Sequence, residues 1–203
     1  MTEGLIAESS QHEFSSPQAR ALLPRVEALV SPARLAHVRR VAALAVSIGR
    51  ANGFSPDDLE RVELAALLHD AARDMTDDQL LSLVSPRNRV EASHPLAMHG
   101  RAARRLAEEW GVTDEAVLGA IEGHVFGVEA GDHVGAALYV ADVSEPGRGV
   151  NDDVRELAMT DLWAAYARAV ESKVSYLREV GKEIHPATLR AYESLQGRDA
   201  RQG

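Results

Sequence analysis

The amino-acid sequence predicts an all-α protein built as a single domain. Apolar residues recur at intervals of three and four along most of the chain, whereas runs that alternate polar and apolar residues are few. The chain is rich in Ala, Leu, Val, Arg and Glu, and only 4% of its residues are aromatic. Its 203 residues suffice for a sizeable core. We therefore expect one domain at residues 17–195, with flexible termini at residues 1–16 and 196–203.

Capping residues mark where several helices begin. Ser31-Pro32 and Ser55-Pro56 each place an N-cap serine before a proline in the first helical position. Thr76 and Gln79 have the spacing of a capping box. Helices are predicted at residues 32–51, from 56 through the pair His69-Asp70, at 77–84, 94–110, 114–125, 133–143 and 160–180, and after Pro186, with loops at 86–93 and 126–131.

Charge and composition exclude several classes of function. The net charge of -9 argues against binding to nucleic acid polymers, although locally concentrated cations could still bind a small anion. Without cysteine there are no disulfides, thiolate zinc sites or cysteine nucleophiles. No run approaches the roughly 20 apolar residues of a membrane span, and residues 1–16 lack the layout of a signal peptide. We expect a cytoplasmic protein without membrane partners.

The pair His69-Asp70 lies near the end of an apolar run at residues 62–72 (V-E-L-A-A-L-L-H-D-A-A). Burial of this helix would strip both side chains of water. A buried carboxylate is costly unless it is paired or bound to a metal ion. The pair is therefore the first candidate for a functional site.

Four other helices each direct one histidine or aspartate toward the core. His37 shares an apolar helix face with Val41, and His99, His124 and Asp142 lie in register with apolar residues of their own helices. Their nitrogen and oxygen donors suit Mn²⁺, Fe or Zn²⁺. The candidate metal ligands are His37, His69, Asp70, His99, His124 and Asp142.

Two explanations of this set stay open from spacing alone. A single inward histidine is usually a hydrogen-bonded core residue, and a single inward aspartate is often a cap or an ion-pair partner. Five helices with such groups, however, leave many buried polar atoms to satisfy at once, and one shared metal centre satisfies them all. The remaining histidines are expected to be solvated (His12), at a helix start (His94), or structural or exposed (His133 and His185).

The order of these residues resembles the HD-domain superfamily of metal-dependent phosphohydrolases. The pattern H…HD…D appears as His37, His69-Asp70 and Asp142. A closer resemblance is to the YqeK-like family of symmetrical bis(5′-nucleosyl)-tetraphosphatases, which adds two histidines, here His99 and His124. The string Y-V-A-D-V-S-E-P-G-R, which contains Asp142, is similar to that family's signature. The resemblance covers roughly residues 33–174.

This resemblance implies an HD-domain helical bundle with a buried centre of two metal ions. Iron is the expected metal, with Mn, Co or Zn as alternatives. Asp70 would bridge the two ions, and a hydroxide between them would attack the substrate. The implied reaction is the symmetrical hydrolysis of diadenosine tetraphosphate to two ADP.

Three further residues are assigned roles around this centre. Arg73, one turn beyond Asp70, is expected to contact the polyphosphate in catalysis, unless it forms a surface ion pair. Arg148 is expected to be a second phosphate contact, and Glu145 to orient a metal ligand. The alternative for Arg148 and Glu145 is a structural turn with a local salt bridge.

Departures from the family pattern keep other functions open. Arg73 replaces a usual lysine, Val125 replaces a threonine, and Ala71 stands where an aromatic residue is common. The alternatives are another HD hydrolase of mononucleotides, deoxynucleoside triphosphates or cyclic nucleotides, and a non-catalytic nucleotide-binding regulatory module. A plain helical interaction bundle is the third. The sequence leaves open whether the protein forms a homodimer.

Overall fold

The computed structural model describes residues 12–199, with side chains described as far as residue 197. This part of the chain forms eleven α-helices and two short 3-10 helices, and no strand occurs within it. The prediction of an all-α fold is confirmed. The helices are α1 (Pro17–Glu27), α2 (Pro32–Ala51), α3 (Pro56–Leu68), α4 (Asp77–Leu83), α5 (Arg89–Ser93), α6 (His99–Glu109), α7 (Glu115–Gly123), α8 (His133–Ser144), α9 (Asp152–Ala158), α10 (Leu162–Glu179) and α11 (Pro186–Asp199).

Serine followed by proline starts the first three helices. Ser16, Ser31 and Ser55 each accept a hydrogen bond from the backbone N–H three residues ahead, and a proline follows each of them. Proline has no backbone N–H, and the N–H of the first helical residue has no acceptor within the helix, so no hydrogen bond is lost at this position. The capping box predicted at Thr76 and Gln79 is also present.

The segment between α4 and α6 differs from the sequence prediction. Residues 89–93 form α5 instead of a loop, because the Asn88 side chain caps the backbone N–H of Glu91 at 3.1 Å. The helix predicted at 94–110 is split into a 3-10 turn, Pro95–Met98, and α6. His94 precedes a proline and has a non-helical backbone (φ -139°, ψ 79°), which separates α5 from that turn.

Helices lie at both ends of the described part of the chain. Helix α1 had no counterpart among the predicted helices, and α11 continues to Asp199, past the predicted boundary at residue 195. Residues 1–11 of the predicted flexible N-terminus lie outside the described part of the chain. Within that part, His12 is not solvated as predicted, because its Nε2 lies 3.1 Å from the buried Glu63 carboxylate.

Two central helices form the core and position the functional residues. Every residue of α3 from Val62 to Leu68 is buried, and so is every residue of α8 from Val134 to Ala141. Helix α8 packs against α2, α3, α7, α9 and α10. A helix that is apolar around its whole circumference belongs in such an interior. Polar groups at the ends of α3 and α8 are therefore held in a nearly dry environment.

Glu63 is a buried carboxylate that ties the N-terminal segment to α3. Its oxygens accept hydrogen bonds from the backbone N–H of Ser15 at 3.0 Å and of Ser16 at 2.7 Å. Burial alone would raise the pKa of Glu63, but His12 and the N–H groups of Ser15 and Ser16 hold that pKa at about 2. The ionised form is therefore stabilised by folding.

We expect Glu63→Gln to lower the free energy of unfolding by about 1–3 kcal/mol at pH 7, since it removes a buried charged acceptor. A depressed pKa contributes stability above the ordinary value of 4.5, and this contribution is lost as the pH falls toward 2. The wild type and the variant should therefore converge in acid. Urea unfolding of metal-free protein measures both effects, with the exposed Glu60→Gln as control. Equal stability of wild type and Glu63→Gln at pH 7 would contradict the prediction.

None of the helices in residues 12–199 combines the length and apolar character that crossing a membrane requires.

Candidate metal centre

The six candidate ligands converge at one end of the α3–α8 core. His69 and Asp70 follow the last residue of α3, His124 caps the C-terminus of α7, and Asp142 lies in the last turn of α8. Three helix C-termini, which carry partial negative charge, therefore meet at this point and favour a cation there. His37 from α2 and His99 from the start of α6 complete the cluster.

The Asp70 carboxylate lies at the middle of the cluster. Its Oδ2 is 3.7 Å from His37 Nε2 and 3.6 Å from His69 Nε2. Its Oδ1 is 3.3 Å from His99 Nε2 and 3.5 Å from His124 Nε2. Each oxygen thus faces its own pair of imidazole nitrogens.

Asp142 approaches the cluster from the side of His37. Its Oδ1 is 3.1 Å from His37 Nε2 and 4.0 Å from His69 Nε2. The donors form three overlapping groups whose atoms lie within 4.8 Å of one another. The groups are His37–His69–Asp70, His69–His124–Asp142 and Asp70–His99–His124.

Hydrogen bonds fix which nitrogen of each histidine faces the cluster. The Nδ1 atoms of His69, His99 and His124 each lie 2.7 Å from the carbonyl oxygen three residues earlier. A carbonyl oxygen only accepts, so each Nδ1 carries the hydrogen and the Nε2 of the neutral ring is bare. His37 is oriented in the same way, because its Nδ1 lies 3.0 Å from Glu145 Oε1.

The bare nitrogens lack adequate partners within the described part of the chain. His69 Nε2 is buried and makes no hydrogen bond, and His37 Nε2 is buried with only the Asp142 carboxylate 3.1 Å away, outside hydrogen-bond geometry. His99 Nε2 and His124 Nε2 lie only 3.0 Å apart, so two lone pairs face each other when both rings are neutral. A buried polar atom of this kind costs free energy unless something binds it. Imidazole and carboxylate donors in this arrangement fit a metal cation.

The electrostatics of the cluster favour the protonation states that bind metals. Burial lowers the pKa of His69 to about 4 and also lowers the pKa of His99. Burial alone would raise the pKa of Asp70, but the neighbouring histidines hold it well below its usual range. At neutral pH His69 and His99 thus present bare nitrogens beside the ionised Asp70 carboxylate.

His37 and Asp142 show the opposite balance. Burial would lower the pKa of His37, but the carboxylates of Asp142 and Glu145 raise it above its ordinary value. Burial would raise the pKa of Asp142, but His37, His69 and Arg148 lower it. His37 and Asp142 therefore attract each other where no cation lies between them.

Glu145 contacts His37 at Nδ1, on the side of the ring away from the cluster, and three hydrogen bonds fix the Glu145 carboxylate in turn. Arg40 donates from Nε to Glu145 Oε2 at 2.6 Å and from Nη2 to Oε1 at 3.1 Å, and the backbone N–H of Gly147 donates to Oε2 at 2.6 Å. A Cβ on Gly147 would lie 2.5 Å from Arg40 Nε, so glycine leaves the room that this contact needs. The turn formed by the E-P-G-R string, residues 145–148, therefore holds the Glu145 carboxylate in the position that orients His37.

Three arginines lie near the cluster in different settings. Arg34 Nη1 donates to Asp70 Oδ2 at 2.8 Å. Arg148 Nη2 donates to Asp142 Oδ1 at 2.5 Å, while its side chain remains 39% exposed. Arg73 forms no ion pair with any residue in the described part of the chain, and Asp74, a potential partner, pairs with Arg34 instead.

Arg34 and Arg40 were not among the residues predicted from the sequence. They precede and follow His37 by one helical turn on α2. Arg34 contacts the Asp70 carboxylate of the cluster, and Arg40 contacts Glu145, which orients His37. The three-residue spacing of Arg34, His37 and Arg40 was the available signal. It is easily taken for a solvated surface, because arginines near a helix start are usually exposed.

The two histidines predicted to be structural or exposed, His133 and His185, differ from each other in burial. His185 is structural, because it is buried and lies 3.2 Å from the Glu91 carboxylate. His133 is a surface residue with its Nε2 3.2 Å from Asp58.

The fold and the site together define the class of protein. A family model of the HD domain matches residues 34–158, which is more than half of the chain. The chain therefore belongs to the HD-domain family, and this membership implies binding of divalent metal ions.

Several named proteins are similar to this chain over most of its length. A Bacillus subtilis protein named symmetrical bis(5′-nucleosyl)-tetraphosphatase is 29% identical over 78% of this chain and 88% of its own length. One of the same name from Halalkalibacterium halodurans is 29% identical over 80% of this chain and 88% of its own length. The crystal structure of a predicted HD superfamily hydrolase involved in NAD metabolism, from Clostridium acetobutylicum, superimposes with a TM-score of 0.80 at 25% identity. It covers 88% of this chain and 97% of the other.

Proposed function

We propose that this protein is a metal-dependent phosphohydrolase that splits diadenosine tetraphosphate symmetrically into two ADP. The observation that carries the proposal is the Asp70 carboxylate, whose two oxygens face two separate pairs of histidines. This arrangement suits a carboxylate shared between two metal ions. The names of the relatives support the choice of substrate.

The residues that would hold the metal ions are the six that converge at the end of the core. Bound there, the ions supply positive charge for phosphate oxygens and a water molecule activated at neutral pH. Iron is the first expectation, and Mn, Co and Zn are the alternatives for the same donors. The proposed ligands are His37, His69, Asp70, His99, His124 and Asp142.

The chain itself supplies cations for a polyphosphate. Arg73 follows Asp70 by three residues and has no carboxylate partner in the described part of the chain, so its guanidinium is available to a phosphate. Arg148 is partly exposed beside Asp142 and can reach an anion from the same place. Phosphoryl transfer depends mainly on such positioning and charge neutralisation. We assign substrate contacts to Arg73 and Arg148, and the orientation of His37 to Glu145.

Product analysis tests this function. Metal-loaded protein is incubated with diadenosine tetraphosphate, and the products are separated by chromatography. ADP as the sole product supports the proposal, whereas AMP with ATP would indicate asymmetrical cleavage. A parallel panel of mononucleotides, deoxynucleoside triphosphates and cyclic nucleotides tests the other HD hydrolase activities. Turnover of one of these without turnover of the tetraphosphate would contradict the proposed substrate.

Glu145→Gln tests how the centre is supported. We expect the metal affinity to fall by about 10–100-fold, because the change weakens the acceptor that fixes His37 and removes the negative charge that Arg40 binds at residue 145. Competition with a chromophoric chelator measures the affinity, and Glu109→Gln on the exposed face of α6 serves as the control. An affinity equal to that of the wild type would refute the assigned role of Glu145.

A further inference from the structure

A cavity of about 540 Å³ opens between α5, α10 and the residues around the start of α11. Its volume lies within the range of small-molecule sites. Val90, Phe126 and Leu177 give it apolar walls, and His185 adds a second ring. None of these residues belongs to the six candidate ligands.

Two walls of this cavity include residues that lie close along the chain to candidate metal ligands. Phe126 follows His124 by two residues, and Lys173 Nζ donates to the intervening carbonyl oxygen of Val125 at 2.6 Å. His94, on another wall, directly precedes the turn whose Leu96 carbonyl oxygen binds His99 Nδ1. Short stretches of chain therefore connect the walls of the cavity to the ligands His99 and His124.

Positive charge is concentrated in this cavity. The whole chain contains only two lysines, Lys173 and Lys182, and both line it together with Arg89. The one carboxylate of the lining, Glu183, lies 3.8 Å from Arg89 Nε. In a chain of net charge -9, this is a local field that attracts anions.

The aromatic wall is rigid. The rings of Phe126 and His185 stack with centroids 3.5 Å apart and planes 7° from parallel. Thr188 Oγ1 donates to the Phe126 carbonyl oxygen at 2.8 Å. Gly127 has φ +102°, and a Cβ there would lie 2.9 Å from Tyr166 Oη. The turn after Phe126 therefore favours glycine over any residue with a side chain. A wall fixed in advance loses little entropy when a ring packs against it.

A second cavity, of about 500 Å³, shares the Phe126–His185 wall but has the opposite charge balance. Its lining carries four carboxylates against three guanidinium groups, so it does not favour an anion. These are Glu91, Glu122, Glu129 and Asp132, against Arg87, Arg101 and Arg190.

We propose that the lysine-lined cavity is the subsite for one nucleotide half of the substrate. The base packs against the Phe126–His185 wall, and Lys173 and Lys182 bind phosphate oxygens on the path to the metal centre. This inference rests on the proposed function, because it takes the substrate to be a dinucleoside polyphosphate. Aromatic rings tolerate any base, and ammonium groups bind phosphate as point charges.

Affinity labelling tests the site directly. Periodate-oxidised ADP carries aldehydes that condense with an amine and release water, and borohydride then reduces the imine to a stable secondary amine. With two lysines in the chain, peptide mass analysis identifies the labelled residue, and the N-terminal amine serves as an internal control. We expect label on Lys182 or Lys173 that excess ADP suppresses. Label spread equally over the lysines and the N-terminal amine, without protection by ADP, would overturn the proposal.

Lys182→Ala gives an independent readout, because Lys182 is exposed and its loss should leave the fold intact. We expect KM for diadenosine tetraphosphate to rise about fivefold or more, with a smaller change in kcat. The control Arg105→Ala removes an exposed cation from α6 and should leave KM unchanged. Equal KM values for wild type and Lys182→Ala would overturn the subsite.

These outcomes separate the subsite from the proposed function. Hydrolysis of the tetraphosphate without ADP protection of either lysine removes the subsite and keeps the function. ADP protection without hydrolysis of the tetraphosphate keeps a nucleotide site and removes the function.

Discussion

Replacing Asp70 by Asn is expected to abolish metal binding and hydrolysis while the protein stays helical. The substitution keeps the shape of the side chain but removes the charge that both pairs of histidines share. Loss of metal-supplied charge removes several kcal/mol of transition-state stabilisation, which corresponds to a rate loss on the order of 10³ or more. Metal content, turnover and far-ultraviolet circular dichroism on the same preparation measure the three properties.

The matched control for this variant is Asp78→Asn in the first turn of α4. Asp78 is exposed and is not one of the candidate ligands, so its substitution should leave metal content and turnover unchanged. Full activity of a metal-free Asp70→Asn protein would exclude the proposed mechanism. Loss of helical structure would instead attribute the inactivity to misfolding, and His69→Ala then provides a second variant of the same centre.

Removal of the metal ions is expected to lower the melting temperature substantially. A ligand that binds only the folded state at about 1,000 times its Kd stabilises that state by about 4 kcal/mol. For a chain of this size, this corresponds to roughly 8–16 °C in Tm. The close approach of His99 Nε2 and His124 Nε2, 3.0 Å apart, adds an unfavourable contact that a bound cation relieves.

Thermal unfolding before and after treatment with a chelator measures this shift, with metal analysis to verify removal. Added Mn²⁺ should restore the original Tm in the wild type. The Asp70→Asn variant should melt at the same temperature with and without the chelator. A wild-type Tm that does not change after verified removal would contradict a centre held by five helices.

The sequence predicted the fold class and the residues that converge, because both follow from helical periodicity. His37 and His124 lie on apolar helix faces, and such faces point toward the core wherever the helix packs. The buried run that ends at His69-Asp70 became the central helix α3. The capped starts at Ser31, Ser55 and Thr76 were predicted because their signals are local.

The remaining features depend on contacts between distant parts of the chain. Arg40 reaches Glu145 only because the turn after α8 lies against α2, and no local pattern encodes this contact. Helix α5 spans only residues 89–93 and is too short for its periodicity to be read. Lys173 and Phe126 come together through tertiary packing.

Elemental analysis of protein purified without a chelator tests the central claim most directly. The account predicts Fe, Mn, Co or Zn bound in up to two equivalents per chain in the wild type, and none in Asp70→Asn. Wild-type protein that is free of these metals, fails to take them up on addition and is nevertheless fully stable would contradict it. The six side chains would then be core polar residues of a helical bundle.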